Sequence, residues 1–321
     1  MPGPLPEQLR KALETAGLGD AYPRMEGLPE RYLSHHDESE VLRHAQAVRA
    51  LSDEQPVAVL RSDRARPGDR VACTICSFDS PGLFSYLAGV LGAAGLDVEA
   101  GHVFTSARGV AIDSFEGRLD PGIDRASWFR QLEADLTTLL RPLRSSPPDP
   151  ASVRELVSER VAHHLSISNP GFDRLLPVTI EVQQENELTR VAVSSQDTPF
   201  FLYSLATALA LQDLSIVAVD ITTDADEIRD RFWIRKTNGA TLLSPTDIER
   251  LRLSILVTKQ FTHALDQAAD PREAFTRFED LVRRVALDEG LTPLRELLAD
   301  PGAQRELARL LGASDFLWED F

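Results

Sequence analysis

The sequence predicts an α+β protein in which one small unit occurs twice. Two stretches of the same length carry the same motif: FDSPGLFSYLAGVLGAAGLDV runs from Phe78 to Val98, and QDTPFFLYSLATALALQDLSI runs from Gln196 to Ile216. Aspartate, proline and three leucines recur in both at a constant separation of 118 positions. In each copy the apolar residues follow strand spacing and then helical spacing. An internal repeat of this kind decides the fold before any single element does.

The first copy begins with a strand from Val71 to Phe78, where apolar and polar residues alternate. Asp79-Ser80-Pro81 is typical of a helix start, with a capping side chain and proline at the first helical position. The helix is expected to end at Gly95, since glycine adopts the left-handed conformation without steric cost.

Two further strands and a second helix follow, and the second copy repeats this order. The first copy has strands at 96–104 and 110–117 and a helix at 124–140. The second copy has strands near 188–195, 214–222 and 229–235 and helices near 199–211 and 245–268. Each copy therefore reads βαββα.

A strand predicted at 177–183 would complete the first copy as βαββαβ, which is the ferredoxin-like arrangement. Nothing after Leu265 reads strongly as a strand, so the fourth strand of the second copy stays open.

Segments outside the two copies are predicted to be helical or linking. Residues 6–51 carry apolar residues at helical spacing, with Ser34 or Asp37 as a cap. Pro56 and the polar stretch after it indicate a turn, 144–150 is a proline-rich linker, and the chain beyond Pro271 is helical. The expected domains are a helical extension (1–68), the first copy (69–184), the second copy (185–270) and a C-terminal helical segment (271–321).

The net charge of the chain limits the kinds of molecule that it is expected to bind. Lys and Arg number 34 against 50 Asp and Glu, which gives a net charge of −16 and argues against nucleic acid and acidic membrane surfaces. The N-terminal residues lack the apolar stretch of a secretory signal, and no run approaches the length of a membrane span. A cytoplasmic location is expected.

Cys73 and Cys76 form a Cys-x-x-Cys pattern but predict no metal or redox site. They lie three apart in a predicted strand and therefore point to opposite faces. The sequence contains no second pair that would complete a tetrahedral site. Two reduced thiols are expected, one of them in the core.

The segment DSPGLFSYLAGVLGAAGLDV, the strand pair after it and the Asp-x-Phe of the third strand resemble ACT domains, which are βαββαβ modules that bind amino acids and regulate metabolic enzymes. The paired repeats, with RYLSHHDESEVLRHAQAV upstream, are similar to the region around the C-terminal ACT pair of bacterial PII uridylyltransferases. LTPLRELLADPGAQRELARLLGASDFLWEDF resembles the opening helices of glutamine synthetase adenylyltransferases. The resemblance implies two ferredoxin-like ACT domains with helical N- and C-terminal extensions.

The resemblance also implies an amino-acid effector, with glutamine as the expected one, and no cofactor. A ligand carboxylate would lie at the start of the first helix, where free N–H groups favour negative charge, and Gly82 would allow close approach. Asp79 would hold the ligand ammonium. The expected effector-binding residues are Asp79, Ser80, Gly82, Leu83, Gly95, Leu96, Asp97 and Val98.

The second copy departs from this pattern at both glycines. Phe200 and Phe201 replace Gly82 and Leu83, and Asp213 replaces Gly95. A phenyl ring at the contact position would fill a pocket, so we expect Asp197, Phe200 and Leu214 to form a wall beside the site of the first copy. The repeat thus predicts an asymmetric pair.

The histidines do not predict a metal site from the sequence alone. His35-His36-Asp37 and His44 carry the letters of a metal-dependent phosphohydrolase motif. His35 and His44 lie too far apart on one helix to share an ion, and no later histidine–aspartate pair completes the set. Surface or capping roles are expected there, and solvated helix positions for His163, His164 and His263.

Three functional classes stay open at this stage. The first is an effector-binding regulatory module whose partners are PII protein, glutamine synthetase or a catalytic nucleotidyltransferase chain. The second is a ligand-free ACT-type interaction scaffold, and the third is a diverged enzyme. The Gly-Ser and spaced aspartates of a nucleotidyltransferase are missing, since the nearest string, Gly312-Ala-Ser314-Asp315, has no second aspartate at the required spacing. A monomer with an internal pseudo-dimer is expected, with a homodimer as the alternative, and the chain is expected to be part of a longer one.

Overall fold

The computed structural model describes residues 7–62, 70–165, 178–185, 187–198, 200–224, 227–237, 244–264, 270, 273–274 and 277–278. The chain forms two compact units. The first comprises Met1–Ser80, Ala94–Val153 and Val217–Ile221. The second comprises Pro81–Ala93, Arg154–Ile216 and Thr222–Phe321.

The described residues contain nine α-helices and eight β-strands. The helices are α1 Glu7–Thr15, α2 Tyr22–Met25, α3 Glu30–His35, α4 Glu38–Ala50, α5 Leu83–Ala93, α6 Arg125–Leu140, α7 Pro150–Leu165, α8 Phe201–Ala210 and α9 Pro245–Ala264. The strands are β1 Val57–Ser62, β2 Arg70–Phe78, β3 Leu96–Thr105, β4 Val110–Leu119, β5 Thr179–Glu185, β6 Leu188–Gln196, β7 Leu214–Asp224 and β8 Glu227–Lys236.

In the first unit the strand order is β1-β2-β4-β3, with the Val217–Ile221 segment of β7 beside β3. The pairs β1–β2, β2–β4 and β3–β4 are antiparallel. Helices α1 to α4 cover one face of the sheet, and their apolar side chains form one core with Cys76, Phe104, Val110 and Ile112. This helical layer explains why β2 is buried along nearly its whole length.

In the second unit β6 pairs with β5 on one side and with β8 on the other, antiparallel in both cases. Helices α5 and α8 pack closely in this unit. A Cβ atom built at Gly89 would lie 2.9 Å from the ring of Tyr203, and one at Gly92 would lie 2.8 Å from the ring of Phe200. The two glycines of α5 therefore leave room for aromatic rings of α8.

The elements confirm the internal repeat. Strand β6 follows β2 by 118 positions at both ends, and α8 begins 118 positions after α5. The predicted helix at 124–140 is α6, and the side chain of Asp124 caps it by accepting the N–H of Ser127 at 2.8 Å. Asp37 caps α4 in a capping box with Glu40, as one of the two predicted caps.

The predicted pairing of the strand at 177–183 was wrong. That strand is β5, and it pairs with β6 of the second copy and so does not complete the first. In the first copy β2 instead pairs with β1, a strand after Pro56 that was not predicted from the sequence. Each copy thus receives its fourth strand from its N-terminal side, and the element order is ββαββα in place of βαββαβ. A hairpin partner is reached through a short connection, which favours this pairing.

The predicted start of the first helix was also wrong. Helix α5 begins at Leu83, two residues after Pro81, so Asp79 and Ser80 are not its caps. Gly82 has φ of 82°, which is outside the helical region and delays the first turn. The predicted end was right, since Gly95 follows α5 with φ of 78°.

Several predictions fall outside the described residues. They include Pro199, the side chain of His263, Gly312 to Asp315 and most of the C-terminal segment 271–321. The proposed domain boundaries stay predictions.

Candidate functional site

The turn before α5 holds four of the predicted effector-binding residues. Asp79 is exposed directly after β2, and its backbone N–H donates to the carbonyl of Gly109 at 2.9 Å. The hydroxyl of Ser80 is buried. The carbonyl of Gly82 accepts the hydroxyl of Ser85 at 2.7 Å, and Leu83 is buried as the first residue of the helix.

The other four predicted residues lie at the start of β3. The carbonyl of Gly95 accepts the N–H of Asp120 at 2.9 Å, and Leu96 is buried. Asp97 is exposed and lies 3.8 Å from the guanidinium of Arg118. Partial burial raises the pKa of Asp97, which Arg118 opposes. Val98 lies next along the strand and is half-buried.

In the second copy the equivalents of the two glycines keep the same backbone conformation. Phe200 has φ of 55° and Asp213 has φ of 56°, so both lie in the left-handed region, as Gly82 and Gly95 do. A phenylalanine in that region is uncommon and strained. Its ring packs against Gly92 and lies 5.6 Å from the ring of His164.

Of the two other residues assigned to the second-copy wall, Leu214 is buried at the start of β7. Asp197 is half-buried just after β6. The three wall residues therefore lie on separate elements or turns of the second copy.

Each copy also carries a buried aspartate, which is the first residue of the Asp-x-Phe in its third strand. Asp113 in β4 is 1% exposed, and its Oδ1 has no hydrogen-bond partner among the described residues. Burial and the nearby carboxylate of Asp79 raise its pKa well above the usual value, while the N–H of Phe104 acts in the opposite direction. The carboxyl of Asp113 is therefore favoured in its protonated form.

The equivalent Asp230 in β8 is also 1% exposed, and burial raises its pKa to about 7. Its Oδ1 accepts the N–H of Thr222 at 3.2 Å. Here a lysine accompanies the carboxyl: Lys259 in α9 is fully buried, and its positive charge lowers the pKa of Asp230.

Lys259 has polar and aromatic partners inside the second unit. Its Nζ donates to the hydroxyl of Thr198 at 2.9 Å and lies 4.0 Å above the ring of Phe201. Burial lowers the pKa of Lys259 to about 8, against the effect of Asp197 and Asp230. This group could not be predicted from the sequence, because Lys259 is more than 60 residues from Asp197 and lies in a separate helix.

Cys73 and Cys76 are both buried, which corrects the prediction that one of them lies in the core. Both faces of β2 are covered, and Cys76 belongs to the core formed with α1 to α4. Burial raises the pKa of Cys73 to about 12 and that of Cys76 further. Thiols in such surroundings are chemically inert.

His35, His36 and His44, which are close together in the sequence, have different partners in the structure. Nδ1 of His44 lies 2.8 Å from the hydroxyl of Tyr32 in the core, and Nδ1 of His36 lies 3.5 Å from the carboxylate of Glu40. His35 instead lies beside His102 and Asp220. Neither His102 nor Asp220 was predicted as a site residue, although the repeat relates them: they are 118 positions apart and occupy equivalent positions in β3 and β7.

In the described part of the chain no helix has the length and apolar character needed to span a bilayer. The described elements define a mixed α/β protein with a duplicated ββαββα unit. The two copies differ at the ends of their first helix: glycines flank α5, whereas Phe200 and Asp213 flank α8.

A scan against protein-family models finds no match for this chain. Three curated proteins that are similar to this chain nevertheless share one name. The chain is 31% identical over 254 residues to the bifunctional uridylyltransferase/uridylyl-removing enzyme of Azospirillum brasilense, covering 76% of this chain and 25% of that protein. It is 26% identical over 233 residues to the enzyme of the same name from Bordetella pertussis, covering 70% of this chain and 25% of that protein.

The corresponding enzyme of Caulobacter vibrioides is 26% identical over 241 residues, covering 75% of this chain and 25% of that protein. The chain thus spans about a quarter of the length of the curated relatives that it matches. The predicted similarity to uridylyltransferases is confirmed at this level.

Proposed function

We propose that this chain is an amino-acid-sensing regulatory module of a nitrogen-metabolism nucleotidyltransferase, with glutamine as the effector. The similarity to bifunctional uridylyltransferase/uridylyl-removing enzymes over 70% or more of the chain supports the regulatory assignment. The proposal includes two ACT-type units, a cytoplasmic location, and PII protein, glutamine synthetase or a catalytic nucleotidyltransferase chain as the partner.

The conformation of Gly82 carries the proposal. It has φ of 82°, and a side chain there would be strained and would meet the ring of Tyr86 at 3.3 Å. A glycine in this turn leaves the backbone beside α5 open to a ligand, and the N-terminal N–H groups of a helix favour a carboxylate. The exposed carboxylate of Asp79 provides a partner for an ammonium group.

The second copy supports an unequal pair. Phe200 occupies the position of Gly82 with the same sign of φ, and its ring lies against Gly92. A packed phenyl ring at this position favours a structural role for the second turn. The effector is therefore assigned to the turn of the first copy.

Isothermal titration calorimetry of the full chain with L-glutamine tests the proposal. Separate titrations with L-glutamate, L-asparagine and L-alanine serve as comparisons. The expected result is saturable binding of one equivalent of glutamine. Asp79→Asn removes the charge with little change of shape and is expected to weaken binding about tenfold or more, because charge-assisted hydrogen bonds contribute about 1.5 to 3 kcal/mol.

Asp197→Asn is the comparison at the equivalent position of the second copy and, as a change in a wall residue, should weaken binding much less than Asp79→Asn. Thermal unfolding of both variants checks that the fold is retained. The absence of binding heat for every amino acid would contradict the sensing proposal and favour the ligand-free scaffold. Equal losses in Asp79→Asn and Asp197→Asn would contradict the assignment to the first copy.

A further inference from the structure

Three side chains that are distant in the sequence meet in the first unit. His35 is the last residue of α3, His102 lies in β3, and Asp220 lies in the segment of β7 that belongs to this unit. One nitrogen or oxygen ligand atom of each lies within 4.8 Å of those of the other two. All three residues are half-buried, so an ion in solution can reach them.

Two of the three ligand atoms already have the spacing of neighbouring ligands on one ion. Nδ1 of His102 lies 3.0 Å from Oδ1 of Asp220. Metal–ligand bonds of about 2.0 to 2.2 Å place adjacent ligands roughly 3 to 3.5 Å apart. A metal ion between these atoms would take the place of the proton that they share.

The ring of His35 has the orientation that a ligand requires. Its Nδ1 lies 2.8 Å from the carbonyl oxygen of Arg31. A carbonyl only accepts hydrogen bonds, so Nδ1 carries the proton and Nε2 keeps its lone pair. Metal-binding histidines usually donate their second ring N–H to a carbonyl or carboxylate in this way. The ring centroids of His35 and His102 are 4.0 Å apart.

We propose that Nε2 of His35, Nδ1 of His102 and the carboxylate of Asp220 bind a divalent transition metal of the zinc type. Two imidazoles and one carboxylate suit zinc, nickel or copper better than calcium or magnesium, which prefer oxygen ligands. Three protein ligands leave one tetrahedral position for water or a second ligand. Small rotations of the side chains close the remaining gap from 4.8 Å.

The positive charge of Arg31 lies beside the proposed metal ligands and should weaken metal binding. Its guanidinium lies 3.5 Å from Oδ1 of Asp220 and 5.5 Å from the ring centroid of Phe104. A cation bound to Asp220 would be repelled by this charge. Arg31→Gln is therefore expected to tighten metal binding severalfold, whereas a merely structural cluster would only be weakened by this change.

The experiment is calorimetric titration of the metal-free full chain with zinc chloride, with magnesium and calcium chloride as comparison ions. We expect one zinc ion per chain and no saturable binding of magnesium or calcium. His102→Gln and Asp220→Asn should each weaken zinc binding at least tenfold, and cobalt added to the wild type should give the visible absorption of a site with nitrogen ligands. His163→Ala, which removes an exposed histidine of α7, is the matched control and should bind zinc normally.

The near-isosteric Asp220→Asn keeps the test decisive if His102→Gln fails to fold, and circular dichroism distinguishes these cases. Zinc binding that persists unchanged in Asp220→Asn would overturn the proposal. So would zinc binding that is lost equally in His163→Ala, or a wild-type chain that binds no zinc at all.

Discussion

The two copies of the unit hold the same buried aspartate in different electrostatic surroundings. Asp113 and Asp230 occupy equivalent strand positions, are equally buried, and each accepts a backbone N–H, from Phe104 and Thr222, at equivalent positions. In the second copy a buried lysine also acts on the carboxyl. The fifteenth residue of α9 is Lys259, whereas the fifteenth residue of α6 is the buried Leu139.

This difference shows how the fold tolerates a charge that would be costly to bury. The first copy favours the neutral acid, because burial and Asp79 both raise the pKa of Asp113. The second copy supplies a counter-charge, together with the hydroxyl of Thr198 that accepts from Lys259.

Replacement of Lys259 should have the largest effect on stability. Lys259→Met leaves the carboxyls of Asp197 and Asp230 near each other without their cation. Loss of a buried positive charge that acts on two nearby carboxyls is expected to cost about 3 to 5 kcal/mol, the range for removing one member of a buried charge pair. Chemical denaturation with urea at pH 7, followed by circular dichroism, measures the loss.

Leu139→Met is the control, since it introduces the same residue at a buried position of the second helix of the first copy, and should cost less than about 1.5 kcal/mol. Comparable losses in the two variants would mean that packing, and not charge, explains the role of Lys259. The double change Lys259→Met with Asp230→Asn should recover part of the stability lost in the single variant.

The second prediction concerns the pH dependence that Asp113 confers. Its pKa is raised in the folded state, whereas in the unfolded state it is about 3.9. Above about pH 4 ionisation therefore favours the unfolded state, and this cost grows as the pH rises towards the folded pKa. Asp113→Asn should therefore stabilise the protein at pH 7 and should give no gain near pH 4.

Asp230→Asn tests the same carboxyl in the other copy. With a pKa of about 7, its ionisation cost grows between about pH 4 and pH 7 and stays constant above that, and the change also removes a negative charge that raises the pKa of Lys259. We expect a smaller gain than in Asp113→Asn, or a loss. Urea denaturation at pH 4, 5.5, 7 and 8 measures both. Identical pH profiles of stability for the two variants would contradict the view that Lys259 makes the surroundings of Asp230 differ from those of Asp113.

Much of the fold follows from local sequence signals. The copies share the strand alternation of β2 and β6 and the helical spacing of α5 and α8, so their element types and most bounds could be predicted. The pairing of β5 could not, because a strand between two copies can join either neighbour and only the connection length distinguishes them. The missed strand β1 lies beside a polar stretch that reads as a turn.

Much less of the site chemistry could be predicted. Gly82, Gly95 and their counterparts are turn positions, and the sequence indicated both glycine turns and the substitutions in the second copy. The pairing of Lys259 with Asp230 and of His35 with His102 depends on contacts between elements far apart in the chain. Burial, which raises the pKa of Asp113, is likewise a property of packing that one sequence does not reveal.

The smallest predicted effect compares the turn after the first helix of each copy. Gly95 and Asp213 are both left-handed, with φ of 78° and 56°. Gly95→Asp places a side chain in the left-handed region, which should cost about 1 to 2 kcal/mol. Its Cβ atom would also lie 2.7 Å from Cδ1 of Ile123 and 2.8 Å from Oδ2 of Asp120, so steric and charge repulsion add to this cost. Asp213→Gly should gain up to about 1 kcal/mol, since the exposed side chain of Asp213 is removed while its carbonyl still accepts the N–H of Thr237 at 2.8 Å. Thermal unfolding of the two reciprocal variants measures the difference, and a gain from Gly95→Asp would show that the glycine of the first copy is not required by its conformation.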